Sequence, residues 1–452
     1  MTLIAKEPAP AFPPAAEPPG PPGGPEGENG GKVLRLLAGL ALIAAVFLVA
    51  GLGDLLLFIV ILIVIVMLHE LGHFATAKWA GMQVTEYFVG FGPRLWSVRR
   101  GETEYGIKAI PAGGYVRITG FTVLDDVAIE DEPRTYRQQP FYKRIIVASA
   151  GSVVHFIIAF VLALIVVLAW GVPSNNWNVA ALDHWNGVAR TPAQLAGLQA
   201  GDTIVSLDHK SFGGPSSLHD AIIRSTGTPI TLGIEHDGHL SQVTLTPRDG
   251  RGITATSPGN PQGQLLAKAD APHAHGSIGV DLEQATQTQS IFRSVGSAAV
   301  NLGQATREEV DGVIRTFSLS GLSSVLHQVT NAKAAAHAAS NPTTSVRPIS
   351  VVGIANLGVQ AQRAGFESLL ELLILVNVIF GLLNMLPMLP LDGGHVAVAA
   401  YEWIRTRKGR PYYKADITKM LPVVVVFLAF LAVFVFAGVF LDLTHPIKNV
   451  FP

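Results

Sequence analysis

Two histidines and a glutamate stand together in the run HELGH, as His69, Glu70 and His73. Residues four apart share one face of a helix, a turn from each other, so both imidazoles can address a common centre. Two neutral imidazoles so placed can ligate zinc, and the carboxylate beside them can take a proton from water held at the metal. Zinc in a hydrolase wants three protein ligands and an open position. The chain has no cysteine, so the third ligand must be His, Asp or Glu. Candidates near the ends of apolar runs are His155, Asp392 and His395. Asp392 is preferred: it lies in NMLPMLPLDGGHV (Asn384 to Val396), just past an apolar run, where Pro387 and Pro390 break the helix and Gly393 and Gly394 permit close backbone approach.

The elements that must position these residues are membrane spans. HELGH ends an apolar run long enough to cross a bilayer. Only 14% of the 452 residues are Asp, Glu, Lys or Arg, against roughly a quarter in an ordinary soluble domain, and the mean hydropathy is positive. Each ionisable group near hydrocarbon costs a few kcal/mol unless paired or hydrated. Polar residues snorkelling at a helix end account for one histidine, but poorly for three groups so close together. The net charge of -1 gives no sign of nucleic-acid binding, and the absence of cysteine excludes disulfides and thiolate metal sites.

The apolar stretch from Val33 to Leu68 is interrupted by GLGD (Gly51 to Asp54). It is too long for one span of about 20 residues and fits two, over 33–51 and 54–76, joined by a tight turn. Further spans are expected over 145–172, 369–389 and 421–441. Residues 1–32 are rich in Pro, Gly and Glu and read as a disordered tail. Lys and Arg crowd the loops between the second and third spans (Lys78 to Arg144) and between the fourth and fifth (Arg405 to Lys419). The positive-inside rule places both loops and the tail in the cytoplasm, and the segment between the third and fourth spans outside with the C-terminus.

That outer segment opens with GVARTPAQLAGLQAGDTIVSLDHKSF (Gly187 to Phe212), followed by PITLGIEHDGHLSQVTLTP, two alternating runs around the Asp237-Gly238 turn signal. Ala-Gly-Leu, two residues, Gly-Asp and an alternating strand are similar to PDZ domains, which add a peptide to a sheet edge. A PDZ-like domain is expected over 178–250. Residues 251–365 read as a linker followed by a helical segment.

HELGH, VGFGPRLWSVRRGETEYGIKAIPAGGYVRITG (Val89 to Gly120), the PDZ-like segment and LNMLPMLPLDGGH stand in an order and spacing that resembles the site-2 protease family of intramembrane zinc metalloproteases, on the bacterial branch that includes regulators of sigma-factor release. The resemblance covers nearly everything from about Leu55 onward. It implies that His69, His73 and Asp392 bind Zn2+ and that Glu70 is the catalytic base. It implies also that Gly113 and Gly114 belong to a membrane-associated β-hairpin over 85–120 and that they and Asn384 help hold the substrate. Relatives commonly carry Ala-Gly-Pro and a downstream Asn at the start of the third span, whereas ASAGSVVHFIIAF has Ser152 and His155. His155 is then either a hydrogen-bonding neighbour of the metal site in place of that Asn or a satisfied core histidine. Pro387 and Pro390 are one residue further apart than the family's usual pair.

The expected architecture is a polytopic α-helical membrane protein with an inserted extracytoplasmic PDZ-like mixed α/β domain and a membrane-associated β-hairpin. The implied activity is hydrolysis of a peptide bond in or near the transmembrane segment of a single-span membrane protein, such as an anti-sigma factor or another signalling precursor after a first cut. The cell membrane is the expected location, with the active site toward the cytoplasm; membrane lipids are expected partners and nucleic acid is not. A membrane scaffold that binds partners through its PDZ-like domain without catalysis is the alternative, and an intact HELGH with Asp392 argues against it. A metal transporter would want an acidic pathway along the spans, which the sequence lacks.

Overall fold

A computed structural model describes residues 27–122, 127–212, 217–258, 263–271, 273–341, 345–406, 413–448 and 450–451. The tail expected over 1–32 lies outside the described residues as far as residue 26. Helix α1 (Gly27–Val49) turns through Gly51, whose φ is 70°, into α2 (Gly53–Trp79). Along most of α2 every face is apolar, and the helix satisfies its backbone groups largely by itself, as hydrocarbon requires. It stops at Gly81, which has φ 78° and donates its N–H to the Lys78 carbonyl at 3.0 Å.

Strands β1 (Val84–Arg100) and β2 (Thr103–Ile118) follow and pair with each other. Both fold back along their length, so that Tyr87 lies opposite Tyr105 as well as Val116. The bend falls where Gly90 has φ 85° and a Cβ would stand 2.6 Å from the Ile110 carbonyl oxygen, a position only glycine can occupy. Helix α3 (Phe141–Trp170) comes next.

The segment after α3 contains β3 (Val172–Leu182), β4 (His184–Trp185), α4 (Pro192–Ala196), β5 (Thr203–Leu207), α5 (Ser217–Arg224), β6 (Ile230–His236), β7 (His239–Leu245), β8 (Arg248–Asp249), β9 (Thr254–Thr256), β10 (Gln264–Leu265), β11 (Gly276–Ser277) and β12 (Val280–Gln287). A five-stranded antiparallel sheet runs in the order β12-β3-β5-β6-β7. Helix α4 starts on a capping box between Thr191 and Gln194 and ends at Gly197 in the left-handed region. Ile204, Leu218, Leu232 and Ile278 are among the buried residues that form this domain's core. Strand β12 lies beyond the 178–250 stretch that sequence alone marks, because its partner β3 is about a hundred residues away and local patterning carries no sign of that pairing.

Helices α6 (Ile291–Phe317), α7 (Leu319–Thr330), α8 (Ala332–Ser340), α9 (Val351–Ala364), α10 (Phe366–Asn384), α11 (Asp392–Arg405) and α12 (Leu421–Thr444) complete the chain. Helix α10 ends at Asn384, five residues before the apolar run does, since Pro387 and Pro390 supply no N–H and disfavour helix in the residues before them. Among the described residues α2, α3, α10 and α12 are long and apolar enough to cross a membrane. The apolar part of α1, Leu34–Val49, is shorter, and at about 1.5 Å per residue it falls short of a hydrocarbon layer of roughly 30 Å. Five spans were expected, and four helices meet the length.

The chain forms two compact units. One comprises Met1–Val154, Ser350–Val359 and Asn384–Phe436; the other comprises His155–Ile349, Gln360–Leu383 and Ala437–Pro452. In the first, Ala77, Met82, Val84, Ile118 and Val147 pack the end of α2 against the sheet and the start of α3.

Candidate active site

The side chains that could do chemistry come together in the first unit. His69 and His73, both buried, stand on one face of α2 in its last turns, and Asp392 is the first residue of α11. His69 Nε2 and His73 Nε2 are 3.3 Å apart, and Asp392 Oδ2 lies 3.2 Å from the latter and 3.5 Å from the former. A tetrahedral site with bonds of about 2.0–2.1 Å has ligand atoms about 3.3 Å apart, so the three distances match one face of a tetrahedron around Zn2+. Two imidazole nitrogens and a carboxylate oxygen are a zinc donor set, and the fourth position is left for water or substrate. The Val147 carbonyl oxygen lies 2.7 Å from His73 Nδ1. With Nδ1–H donating to that carbonyl, the lone pair of Nε2 is held toward the centre.

Small residues allow this closeness. A Cβ on Gly151 of α3 would overlap the rings of His69 and His73, and one on Gly72 would stand 2.9 Å from the Ala150 carbonyl oxygen. Glycine at both positions lets α2 and α3 approach to backbone contact. On the far side, a Cβ on Gly393 would overlap the carbonyls of Met385 and Leu386, and one on Gly394 would lie 2.5 Å from the Leu389 nitrogen. The turn between α10 and α11 therefore packs on the first turn of α11, and Asp392 is set where the two meet.

Glu70 projects beside the cluster, and its Oε2 accepts a hydrogen bond of 3.0 Å from the backbone N–H of Val116. Gly114, two residues earlier on β2, lies so close to α2 that a Cβ there would overlap Met67 Sδ and stand 3.6 Å from Glu70 Cγ. Gly113 has φ 145° and faces the Phe91 ring. Tyr87 donates from its hydroxyl to the Met67 carbonyl at 2.8 Å, a further tie between sheet and helix.

Three further candidates are Asn384, His395 and His155. Asn384 closes α10, immediately before the turn that packs on Gly393, and its side chain makes no hydrogen bond among the described residues. His395, one turn beyond Asp392, stacks on Phe121 with ring centroids 4.1 Å apart, and burial lowers its pKa to about 4. His155 belongs to the second unit, where Nδ1–H donates to Asn377 Oδ1 at 3.0 Å while Asn377 Nδ2 donates to the Leu373 carbonyl at 2.8 Å.

Three participants escape a reading by residue type: the Val116 amide, the Val147 carbonyl, and an ion pair. Arg144, in the first turn of α3, donates to Glu402 of α11 at 2.5 Å with both side chains 5% exposed. Together with the stacked rings of Phe141 and Trp403, it joins the helix that bears Val147 and Gly151 to the helix that bears Asp392.

The sequence model of Peptidase family M50 matches residues 57–431. The chain is 33% identical to zinc metalloprotease Rip1 of Mycolicibacterium smegmatis over 434 residues, which cover 88% of this chain and 98% of that one. It is 31% identical over 420 residues to zinc metalloprotease Rip1 of Mycobacterium tuberculosis strain H37Rv, covering 87% and 97% of the two chains.

Proposed function

Because the chain belongs to peptidase family M50, the zinc metalloproteases of the site-2 type, we propose that His69, His73 and Asp392 hold its Zn2+ and that Glu70 is the general base of an intramembrane peptide hydrolysis. One observation carries this reading: two imidazole nitrogens and one carboxylate oxygen lie 3.2–3.5 Å apart at the end of a membrane-spanning helix, with a carboxylate on the adjacent residue. When bound, the zinc ion supplies a Lewis acid that polarises a carbonyl oxygen and acidifies water. Glu70 accepts the proton of the attacking water and returns it to the leaving amine nitrogen. The Val116 amide holds one carboxylate oxygen, which leaves the other to carry the proton.

A helical target must unwind before its bond can be reached. The edge of β2 that meets Glu70 at Val116 runs past Gly114, and side-chain alternation along a strand turns the backbone groups of both residues to the same edge. A substrate strand pairing there has its polar backbone groups satisfied in an apolar setting, with its scissile bond beside Glu70. The missing side chain at Gly114 permits that approach, and Asn384 supplies an amide to grip the extended segment. On the positive-inside rule we read this chemistry as facing the cytoplasm and the five-stranded domain, taken as PDZ-like, as lying outside. The substrate class is a single-span membrane protein already shortened outside, an anti-sigma factor or similar signalling precursor, and the outer domain governs which substrates gain access.

The test is the membrane proteome of cells whose only copy carries Glu70→Gln. A single-span protein should accumulate as a shortened, membrane-bound stub and disappear when native protein is restored. Identical membrane proteomes with and without the substitution would overturn the proposal.

A further inference from the structure

The end of α11 has a feature that hydrolysis does not use. Tyr401, Ile404 and Arg405 are spaced so that they share one face of that helix, and all three are exposed, Ile404 by 70%. The guanidinium of Arg405 lies over two aromatic rings, 5.8 Å from the centroid of Tyr401 and 5.2 Å from that of Tyr413, and the rings themselves meet edge to face. Backbone hydrogen bonds hold this arrangement. The N–H of Tyr413 donates to Thr406 Oγ1 at 3.1 Å, and the N–H of Ala415 donates to Glu402 Oε1 at 2.7 Å, so the segment carrying the second ring is tied back to the helix end.

Arg405 has no ion-pair partner among the described residues, and the carboxylates nearest in sequence are committed elsewhere, Glu402 to Arg144 and Asp416 to Lys419 at 3.4 Å. A guanidinium seated on ring faces keeps its N–H donors in its own plane, where their fork fits an oxyanion that accepts two parallel hydrogen bonds. The surroundings say which oxyanion. Two of the membrane-spanning helices begin here: Phe141, the first residue of α3, stacks on Trp403 with centroids 5.2 Å apart, and α12 starts at Leu421. Trp403 is 58% exposed despite that stack. Exposed aromatic rings at the ends of spans mark the level of the lipid headgroups, and cations just outside a span attract anionic ones. From Tyr401 to Lys419 the sequence carries six Lys and Arg against Glu402 and Asp416.

We propose that Arg405, seated on Tyr401 and Tyr413, binds the phosphate of an anionic phospholipid such as phosphatidylglycerol, with the acyl chains on the side of Ile404. In a zwitterionic lipid an ammonium already balances the phosphate, so the anionic headgroup is preferred. The site takes no part in hydrolysis and does not depend on that reading. The bound lipid anchors one end of the helix whose other end carries Asp392.

Native mass spectrometry of the full-length, zinc-loaded protein, released from detergent micelles supplemented in turn with phosphatidylglycerol or phosphatidylcholine, tests this by the fraction of protein that carries one lipid. Phosphatidylglycerol should be retained in preference to phosphatidylcholine. Arg405→Ala should weaken its retention by about tenfold or more, the loss of one charge-assisted pair. Tyr401→Leu with Tyr413→Leu should weaken it too, whereas Lys419→Ala, at a side chain 81% exposed, should change it little. Unchanged melting temperature and zinc content will show that the variants are folded. Equal retention of the two lipids, or retention unaffected by Arg405→Ala, overturns the proposal. A loss with Lys419→Ala as large as that with Arg405→Ala would reduce the effect to diffuse charge, and displacement of the lipid by inorganic phosphate at equal concentration would assign the site to a soluble anion; either result overturns it as well.

Discussion

The backbone N–H of Val116 donates to Oε2 of Glu70 across 3.0 Å, so the sheet and the carboxylate on α2 are joined by a bond that no substitution at Val116 except proline removes. The orientation of Glu70 then depends on the path of β2, and the same edge is the one proposed above to receive substrate.

Val116→Pro deletes that donor and leaves the metal ligands untouched. A reacting group displaced by about 1 Å can cost about 10²-fold in rate, so kcat should fall by that order while zinc content stays at the native value. Val116→Ala, which keeps the amide, should stay near native. Steady-state cleavage of a reconstituted single-span substrate with parallel metal analysis distinguishes the two, and equal activity of both variants would remove the Val116 amide from the mechanism.

Asp392→Ala should lose zinc and activity together, whereas His395→Ala should stay largely zinc-loaded. Asp392 Oδ2 is 3.2 Å from His73 Nε2, while the His395 ring is stacked on Phe121. Metal analysis of the two purified variants checks this, and the reverse pattern would make His395 the third ligand.

Gly151→Ala inserts a methyl group where the His69 and His73 rings already lie. The rings or α3 must shift, so zinc should leave faster on chelator challenge, with a smaller loss of overall stability. Native release kinetics for this variant would show that α3 does not confine the imidazoles.

Much of this was legible in the residues, for a physical reason. His69, Glu70 and His73 are local to one helix, and their four-residue spacing sets their geometry wherever the helix lies. The Asp237-Gly238 turn is equally local and forms as its types dictate. What escaped depends on contacts between distant segments. Val116 acts through its amide, which every residue except proline possesses. Gly151 matters for the atom it lacks, and only the approach of α2 shows why. His155 has two readings because a buried histidine and a site histidine have the same sequence signature, and its contact with Asn377, 222 residues away, leaves no local trace.

Arg144 and Glu402 are 258 residues apart and buried as a pair, so removing one partner leaves an uncompensated charge. Glu402→Gln or Arg144→Met should destabilise the first unit by about 3–5 kcal/mol, and the double variant should recover part of that loss. Thermal unfolding of the four proteins in one detergent measures the coupling. Strict additivity of the two single losses would mean that the pair does not join α3 to α11 energetically.

The central claim is that Glu70 moves the proton while His69, His73 and Asp392 hold the metal, and one measurement separates these roles most directly. Glu70→Gln keeps the shape of the side chain and removes its basicity. The purified variant should bind zinc with native stoichiometry and fail to cleave a single-span substrate in proteoliposomes under conditions where native protein cuts it to completion. Cleavage at the native rate by a zinc-loaded Glu70→Gln protein would contradict the account.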